Sequence, residues 1–406
     1  MYVGGFRKLF DFEGYVIEKV VLTEELAQVN LRRDRRFNLT CPHCGAKMGK
    51  NRTSRQTARD LPLGPARKVI LVYEAIQGRC SNCDSFATIR PPGIPEGGRA
   101  TWRLMSLVSC CARFMPLSRI SEILPVSTAT AYRWDKKVLA QQLPEPNFDE
   151  LEVLLIDEKS IGKHHDYVTV VLDGQTGELL HMAEGKKKKS LESFFDRLTD
   201  EQKSATEAAA MDRAGAYKQV VSEEIPEADI VFDKFHIIKN YHEVIDDVRR
   251  QEWRAASDEN KEVVKGQRYN LLRNPENLTE EQNQELEELL QLNENINKVY
   301  VMKDQLRKLW GYVRPDRAER YLEYWAQLAK QSTLEPLEEF GSSLLECTEE
   351  VVNYFRHEIT LGPLEGFNNL ISRILHRACG YDDLEYMFLK LRRESLPKFL
   401  ISSPQF

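Results

Sequence analysis

The chain has 406 residues, 42% hydrophobic and 30% charged, which describes an ordinary soluble protein long enough for two to four domains with real cores. No run approaches the ~18 consecutive apolar residues of a membrane span, and acidic residues soon interrupt the chain after its short basic N-terminal stretch, which excludes a secretory signal. A net charge of −6 argues against a nucleic-acid partner until the chain is divided: residues 1–148 carry 23 Lys and Arg against 13 Asp and Glu, whereas 149–406 carry 34 against 50. A basic front on an acidic remainder is the asymmetry of a chain that meets phosphates with one end.

Residues 1–30 alternate apolar and polar positions and read as strands around a turn. Residues 31–90 are basic and punctuated by Gly and Pro, with CPHC at 41–44, CSNC at 80–83 and strand-like runs between, notably KVILVYEAI at 68–76. Four of the eight cysteines, Cys41, Cys44, Cys80 and Cys83, thus form two pairs; in a long chain expected to be intracellular, metal binding is the favoured reading over a disulfide framework. A two-residue gap lets one turn aim both sulfurs at a single ion, and two such knuckles joined by strands make a closed structural Zn2+ site. The 35 residues between the knuckles exceed the shortest ribbon spacing, so an inserted hairpin must fill the loop; His43 is not needed as a ligand. Four unrelated buried cysteines are the alternative. The ion would fold a ribbon-like DNA-binding domain over 1–98, whose Arg32, Arg33, Arg35, Arg36, Lys47, Lys50, Arg52 and Arg55 can meet phosphates.

PPGIPEGG at 91–98 is a linker, and a second domain follows at 99–148, with helical periodicity over 101–140 and a break at LPEPN, 143–147. Residues 115–138 predict a helix-turn-helix. Leu117, Ile120 and Ile123 form the apolar face of the first helix, and Leu124-Pro125-Val126 turns the chain. Ser127 caps a second helix that turns Thr128, Thr130, Arg133, Lys136 and Lys137 outward and Ala131 and Trp134 inward. Small polar residues at the start of such a helix suit base edges, and basic ones at its end suit phosphates. Any pair of packed helices carries this pattern; the preceding zinc knuckles and basic stretch favour DNA.

From residue 151 the pattern is α/β. LEVLLID (151–157) suits a buried central strand, 167–185 a hairpin turning at DGQTG, 190–198 an amphipathic helix, and 205–212 and 228–233 two further buried strands. His164 and His165 fall in a turn, and Lys186–Lys189 in a loop that either touches DNA or is merely solvated. Residues 235–355 are almost wholly helical, and 360–400 are helical again. The resulting fold class is multidomain α+β.

Three carboxylates stand in unusual surroundings. Asp157 ends an apolar strand, where a charge is expensive unless paired or coordinated, and Asp212 ends another. Glu365 opens an amphipathic helix with Pro363 in its first turn. Each alone would be read as a strand end or helix start. Together they make an oxygen cluster suited to Mg2+ or Mn2+, and a pair of such ions about 3.5–4 Å apart activates an attacking hydroxyl and stabilises the leaving oxygen of a phosphodiester.

The order CxxC, CxxC, helix-turn-helix, LLIDEKSIGK, AAAMDRAGAY, IVFDKFHIIKN and GPLEGFNNLISRILHRACGY resembles insertion-sequence transposases of the ISL-three family, and the likeness covers essentially the whole chain. It implies an RNase H-like catalytic core, its first part at 149–245 and its final part at 356–406, interrupted by an all-helical insertion at 246–355. It implies Asp157, Asp212 and Glu365 as the acidic (DDE) triad; the family's usual Asn before the Gly-Pro is Leu361 here. Asp233 and His236, in DKFH, also match a family motif, which implies groups beside the active centre that contact DNA or support the acidic residues; a strand end and a helix start are the plainer reading. Arg373, Arg377 and Tyr381 either hold phosphates at the cut or solvate an outer face.

The expected activity is binding of terminal inverted repeats, metal-dependent strand cleavage, and strand transfer by the freed 3′-hydroxyl, on double-stranded DNA as end and target. A homodimer or larger assembly follows from the need to join two ends, and the expected location is cytoplasmic and DNA-associated, of bacterial type. A DNA-binding regulator that kept its reader and lost chemistry, or a nuclease without strand transfer, are the rival readings.

Overall fold

The computed structural model of the chain describes residues 9–396 apart from 65, 163–165, 214 and 379, so His164 and His165 lie outside the described residues. Two units emerge: residues 1–145 with 373–406, and residues 146–372. The first begins with β1 (Tyr15–Leu22), β2 (Leu26–Arg33), β3 (Arg52–Asp60), β4 (Lys68–Arg79) and β5 (Phe86–Ile89), in the sheet order β1-β2-β4-β3 with β5 also on β4. Alternation makes β2 one-sided: Ala27, Val29 and Leu31 are buried, whereas Gln28 and Asn30 are partly exposed. The hairpin expected between the knuckles is the antiparallel pair β3–β4.

Three helices follow: α1 (Trp102–Cys111), α2 (Leu117–Ile123) and α3 (Thr128–Gln142). Thr101 caps α1 and also donates its hydroxyl to Asp60 at 2.7 Å, at the end of β3, while Arg103 pairs with the same carboxylate. This buried carboxylate fixes the first helix to the sheet. Ile120, Leu124, Val126 and Ala131 bury the inner faces of α2, the turn and α3 against Val108 of α1 and Ala112 at its C-terminal cap.

The second unit holds β6 (Val153–Ser160), β7 (Tyr167–Asp173), β8 (Leu179–Glu184), α4 (Lys188–Phe195), α5 (Asp200–Ala205), β9 (Ala208–Met211), α6 (Gly215–Glu224) and β10 (Asp229–Phe232). Its sheet runs β10-β9-β6-β7-β8; β6, β9 and β10 are parallel, and β7 is antiparallel to both neighbours. Every residue of β9 is buried, as expected for a central strand covered on both faces.

Helices fill the rest: α7 (Lys234–Ala255), α8 (Asp258–Val264), α9 (Arg268–Leu272), α10 (Glu280–Leu292), α11 (Glu294–Leu309), α12 (Pro315–Lys330), α13 (Glu335–Leu345), α14 (Thr348–Val352) and α15 (Tyr354–His357). They are not a separate module. One apolar cluster runs from Leu154, Met211 and Phe232 of the sheet through Ile237 and Tyr241 of α7 to Trp325 and Phe340. The boundary expected near residue 246 falls inside α7, which follows β10 after a single residue and whose buried face runs from Ile237 to Val248.

The chain ends with α16 (Gly362–Ala378) and α17 (Leu384–Ser395). The division between units falls within α16, so 373–406, read from the sequence with the catalytic core, groups with the N-terminal unit instead. The cause is a polar cluster inside that unit. Asp135 of α3, fully buried, accepts from Ser109 at 2.6 Å, from the Tyr386 hydroxyl at 2.5 Å and from the Lys390 ammonium at 2.8 Å. Lys390 also donates to the carbonyl of Ala112 at 2.7 Å, and Arg393 to that of Ser109 at 3.1 Å. A buried charge stays charged only where it is paired and hydrogen-bonded, and α17 brings those partners to α3.

Candidate functional site

At the cysteine knuckles, Cys41 Sγ lies 3.7 Å from Cys83 Sγ and Cys44 Sγ 3.5 Å from Cys80 Sγ, and all four sulfurs fall within 4.8 Å of one another. A tetrahedron with metal–sulfur bonds of ~2.3 Å has edges of about 3.8 Å, so the cage has the dimensions of a four-thiolate zinc site. Gly45 (φ +71°) and Asp84 (φ +56°) supply the left-handed residue of the two knuckles. Gly78 permits their approach, because a Cβ there would sit 2.0 Å from the Gly49 carbonyl oxygen. The Ser85 hydroxyl and the backbone N–H groups of His43 and Cys44 hold the Cys41 thiol down at about 6, favouring the thiolate that binds metal.

The basic residues around this cage divide by occupation. Arg33 donates to the carbonyls of Phe37 and Asn38, and Arg36 pairs with Asp34 at 2.6 Å, so both brace the loop they stand on. Arg32, Arg35, Arg52 and Arg55 are exposed. In α3, Ser127 caps the helix by accepting the Thr130 N–H at 3.3 Å, while Thr128, Arg133 and Lys137 are exposed and Thr130 is partly so. Lys136 differs: its ammonium is held by Asp383 at 2.7 Å and Glu385 at 2.6 Å. Arg373 is exposed, whereas Arg377 donates to the carbonyl of Arg113 and the Tyr381 ring packs against that of Tyr386.

In the second unit the carboxylates gather at one end of the sheet. Ile156 of β6 is level with Met211 of β9, and Met211 with Phe232 of β10. Asp212 and Asp233 directly follow β9 and β10, whereas Asp157, expected to end its strand, lies inside β6, which runs on to Ser160 against β7; all three stand just past the parallel part of the sheet, on the side where open α/β sheets bind ligands. Asp157 accepts the N–H of Glu158 at 2.8 Å and the side-chain amide of Asn368 at 2.7 Å; burial pushes its carboxyl up against the pull of those bonds. Asp212 is 40% exposed and accepts the N–H of Arg213 at 2.6 Å.

Asp233 is buried and caps α7, accepting the His236 N–H at 3.3 Å and His236 Nδ1 at 3.0 Å. Nε2 of the same ring lies 3.6 Å from Asp212. The Asp233 hydrogen bond first, then the charges of Asp212 and Asp157, raise the His236 pKa. Glu365, in the first turn of α16, is exposed. Among the described residues the four cysteines are the one group of three or more His, Cys, Asp or Glu found with ligand atoms that close together, so Asp157, Asp212 and Glu365 do not converge as a set in the same way. Leu361, where the expected motif has Asn, is buried at the start of α16, and its carbonyl accepts the Glu365 N–H at 3.0 Å.

Sequence reading missed Asn368. Its signal was present: it stands three residues after Glu365 in EGFNN, a spacing that puts both on one side of a helix. It also missed the C-terminal partners of α3, since Asp383 and Lys136 are far apart in the chain.

A family model described as Transposase, for ISL3-type DDE enzymes, matches residues 154–391. The transposase of insertion sequence element IS1001 from Bordetella parapertussis is 31% identical over 397 residues, 95% of this chain and 97% of that protein. The transposase of element IS1557 from Mycobacterium tuberculosis is 27% identical over 257 residues, 58% of each chain. With a family match over more than half its length and a relative alike along nearly all of it, the chain belongs to the ISL3 family of DDE transposases.

Proposed function

We propose that this transposase reads the inverted repeats of its element with the first unit and cuts and rejoins phosphodiesters at Asp157, Asp212 and Glu365 in the second. The observation that carries the reading is the placement of Asp157 and Asp212 one residue beyond the parallel pairing of β6 with β9, with Asp157 tied to the helix that bears Glu365. The sheet order β10-β9-β6-β7-β8, three antiparallel strands followed by two parallel ones, supports an RNase H-like core. The pair α2–α3, joined by a short turn and capped at Ser127, supports a helix-turn-helix reader.

The acidic residues suit a hard divalent cation. Their donors are all oxygen, and among the described residues neither Asp157 nor Asp212 is paired with a lysine or arginine. Mg2+ or Mn2+ bound there supplies Lewis acidity toward the attacking and leaving oxygens. The protein's own part is positional. Asp157, strained by desolvation, presents charge where a cation relieves it; His236, oriented by Asp233, faces Asp212 and fixes that end of the cluster. Glu365 supplies the third carboxylate from α16. The reaction is two in-line displacements at phosphorus: water breaks one strand at each end, and the freed 3′-hydroxyl then attacks a second phosphodiester. Zn2+ in the four-cysteine cage shapes the basic first unit, whose exposed Arg32, Arg35, Arg52, Arg55, Arg133 and Lys137 meet the DNA phosphates. Two chains or more act together, because two ends must be joined.

Incubation of the full chain with end-containing DNA and Mg2+ tests the reading. Nicked and then joined products are expected, and Asp157→Ala or Asp212→Ala abolishes both while end binding persists. Cutting retained by Asp157→Ala sinks the site, binding without nicking points to a regulator, and nicking without joined products to a nuclease.

A further inference from the structure

Asn368 stands one helical turn after Glu365 on α16, and its Nδ2–H donates to Asp157 Oδ2 at 2.7 Å. The other oxygen of that carboxylate takes the backbone N–H of Glu158 at 2.8 Å, so both oxygens are steered by donors that leave lone pairs free. The amide can face a carboxylate only through its nitrogen, which turns Oδ1 the other way. That oxygen is buried and has no hydrogen-bond partner among the described residues. A buried unsatisfied acceptor is costly, and here it sits against the acidic residue that the reaction uses.

We propose that Asn368 is a positioning residue for the strand-cleavage reaction. It fixes the rotamer of Asp157 so that the carboxylate meets the divalent cation in one orientation, and it ties that carboxylate to the helix that carries Glu365. One side chain thereby couples a group on β6 to a group that returns more than two hundred residues later. A hydrogen bond that only docked the helix would require none of this: it would hold α16 in place without affecting how Asp157 binds metal. The inference rests on the reading of Asp157 as a cation ligand.

The test uses the full chain with an oligonucleotide duplex carrying one element end. Free Mn2+ is measured by electron paramagnetic resonance across a titration, and cleavage is followed against Mg2+ concentration. Asn368→Ala should weaken Mn2+ binding roughly 10–100-fold, the usual effect of removing a group that orients a metal ligand, and should raise the Mg2+ needed for half-maximal cleavage to match. End binding and the thermal transition stay as in the unsubstituted chain. Asn368→His, whose Nδ1–H can occupy the place of the amide N–H, should recover much of both. If Asn368→Ala does not fold, Asn368→Leu, which fills the volume without a donor, takes its place. Unchanged Mn2+ affinity and Mg2+ dependence in the donor-free variant overturn the proposal. Asp157→Ala is run alongside: if it still cleaves, the site reading fails; if it is inactive while the donor-free variant behaves like the unsubstituted chain, only this inference fails.

Discussion

Replacing Asp135 by Ala removes the carboxylate shared by Lys390 and Arg393; Glu394 still lies 3.8 Å from Arg393, but Lys390 loses the one anion recorded against it among the described residues. The side chains of Lys390 and Arg393 are 2% and 8% exposed, and neither can reach water without displacing α17. Breaking a buried pair by deleting one partner costs about 3–5 kcal/mol, because the remaining charge is uncompensated. The hydroxyls of Ser109 and Tyr386 lose their acceptor as well, which adds to the cost without summing simply with it. The helix α17 should therefore open far more often, by about a hundredfold or more in its opening equilibrium at 1.4 kcal/mol per tenfold. Hydrogen exchange over residues 384–395 in the full chain reads this directly. The double variant Asp135→Ala/Lys390→Met, which removes one stranded charge, should recover part of the protection. Exchange in α17 that is unchanged in Asp135→Ala would refute the claim that this carboxylate holds the C-terminal helix to α3.

Three further outcomes are expected. Arg133→Ala, at an exposed position of α3, should weaken end binding and reduce its salt slope by about one, whereas Lys136→Ala, whose ammonium is already held by Asp383 and Glu385, should leave that slope nearly unchanged; binding of both variants across a salt series decides it. Native mass spectrometry should find one Zn2+ per chain, lost in Cys41→Ser/Cys80→Ser, with the thermal transition of the first unit lowered; retained zinc would exclude the four-cysteine cage. Burial brings the Lys303 ammonium down to about 8 from its ordinary 10.5, while it donates to the carbonyls of Leu271 and Arg273. The unfolded chain then binds more protons between those values, so stability rises with pH from about 8 toward 10.5, by at most about 3 kcal/mol from this group. Denaturation midpoints at pH 7.5–9.5, as ~1-unit steps, should climb in the unsubstituted chain and climb less in Lys303→Met; identical slopes would assign the effect elsewhere.

Local chemistry made much of the molecule legible. The CxxC spacing alone gives knuckles, since two residues are what one turn needs to aim two sulfurs together, and the four sulfurs do converge. The apolar runs ending in Asp157 and Asp212 gave strands because a central strand buried on both faces has no polar alternation to hide it; Asp212 does follow its strand, but β6 runs past Asp157 to Ser160, because β7 continues to pair with it there. Ser127 and Pro125 marked the turn between α2 and α3 through cap and backbone geometry that act over a few residues. The outward pattern of α3 was legible for Thr128, Arg133 and Lys137, which face water.

What no window of sequence contains is which distant residue meets which. Periodicity assigns Lys136 to an outer face, but only the return of Asp383 and Glu385 decides that its charge is spoken for. Asp135 looks like one more acidic residue in a helix until Tyr386 and Lys390 arrive to make burial of its charge tolerable. The same holds for the helices after β10, whose apolar faces predict burial without saying that they share one core with the sheet. Local sequence is enough for the cysteine cage, the strands and the acidic candidates, because each depends on neighbours within a turn or a strand. Packing across the fold decides that α16 is shared between the two units and that Asn368, a turn beyond Glu365, reaches the carboxylate of Asp157, because a hydrogen bond between distant segments depends on the distance between elements rather than on their composition.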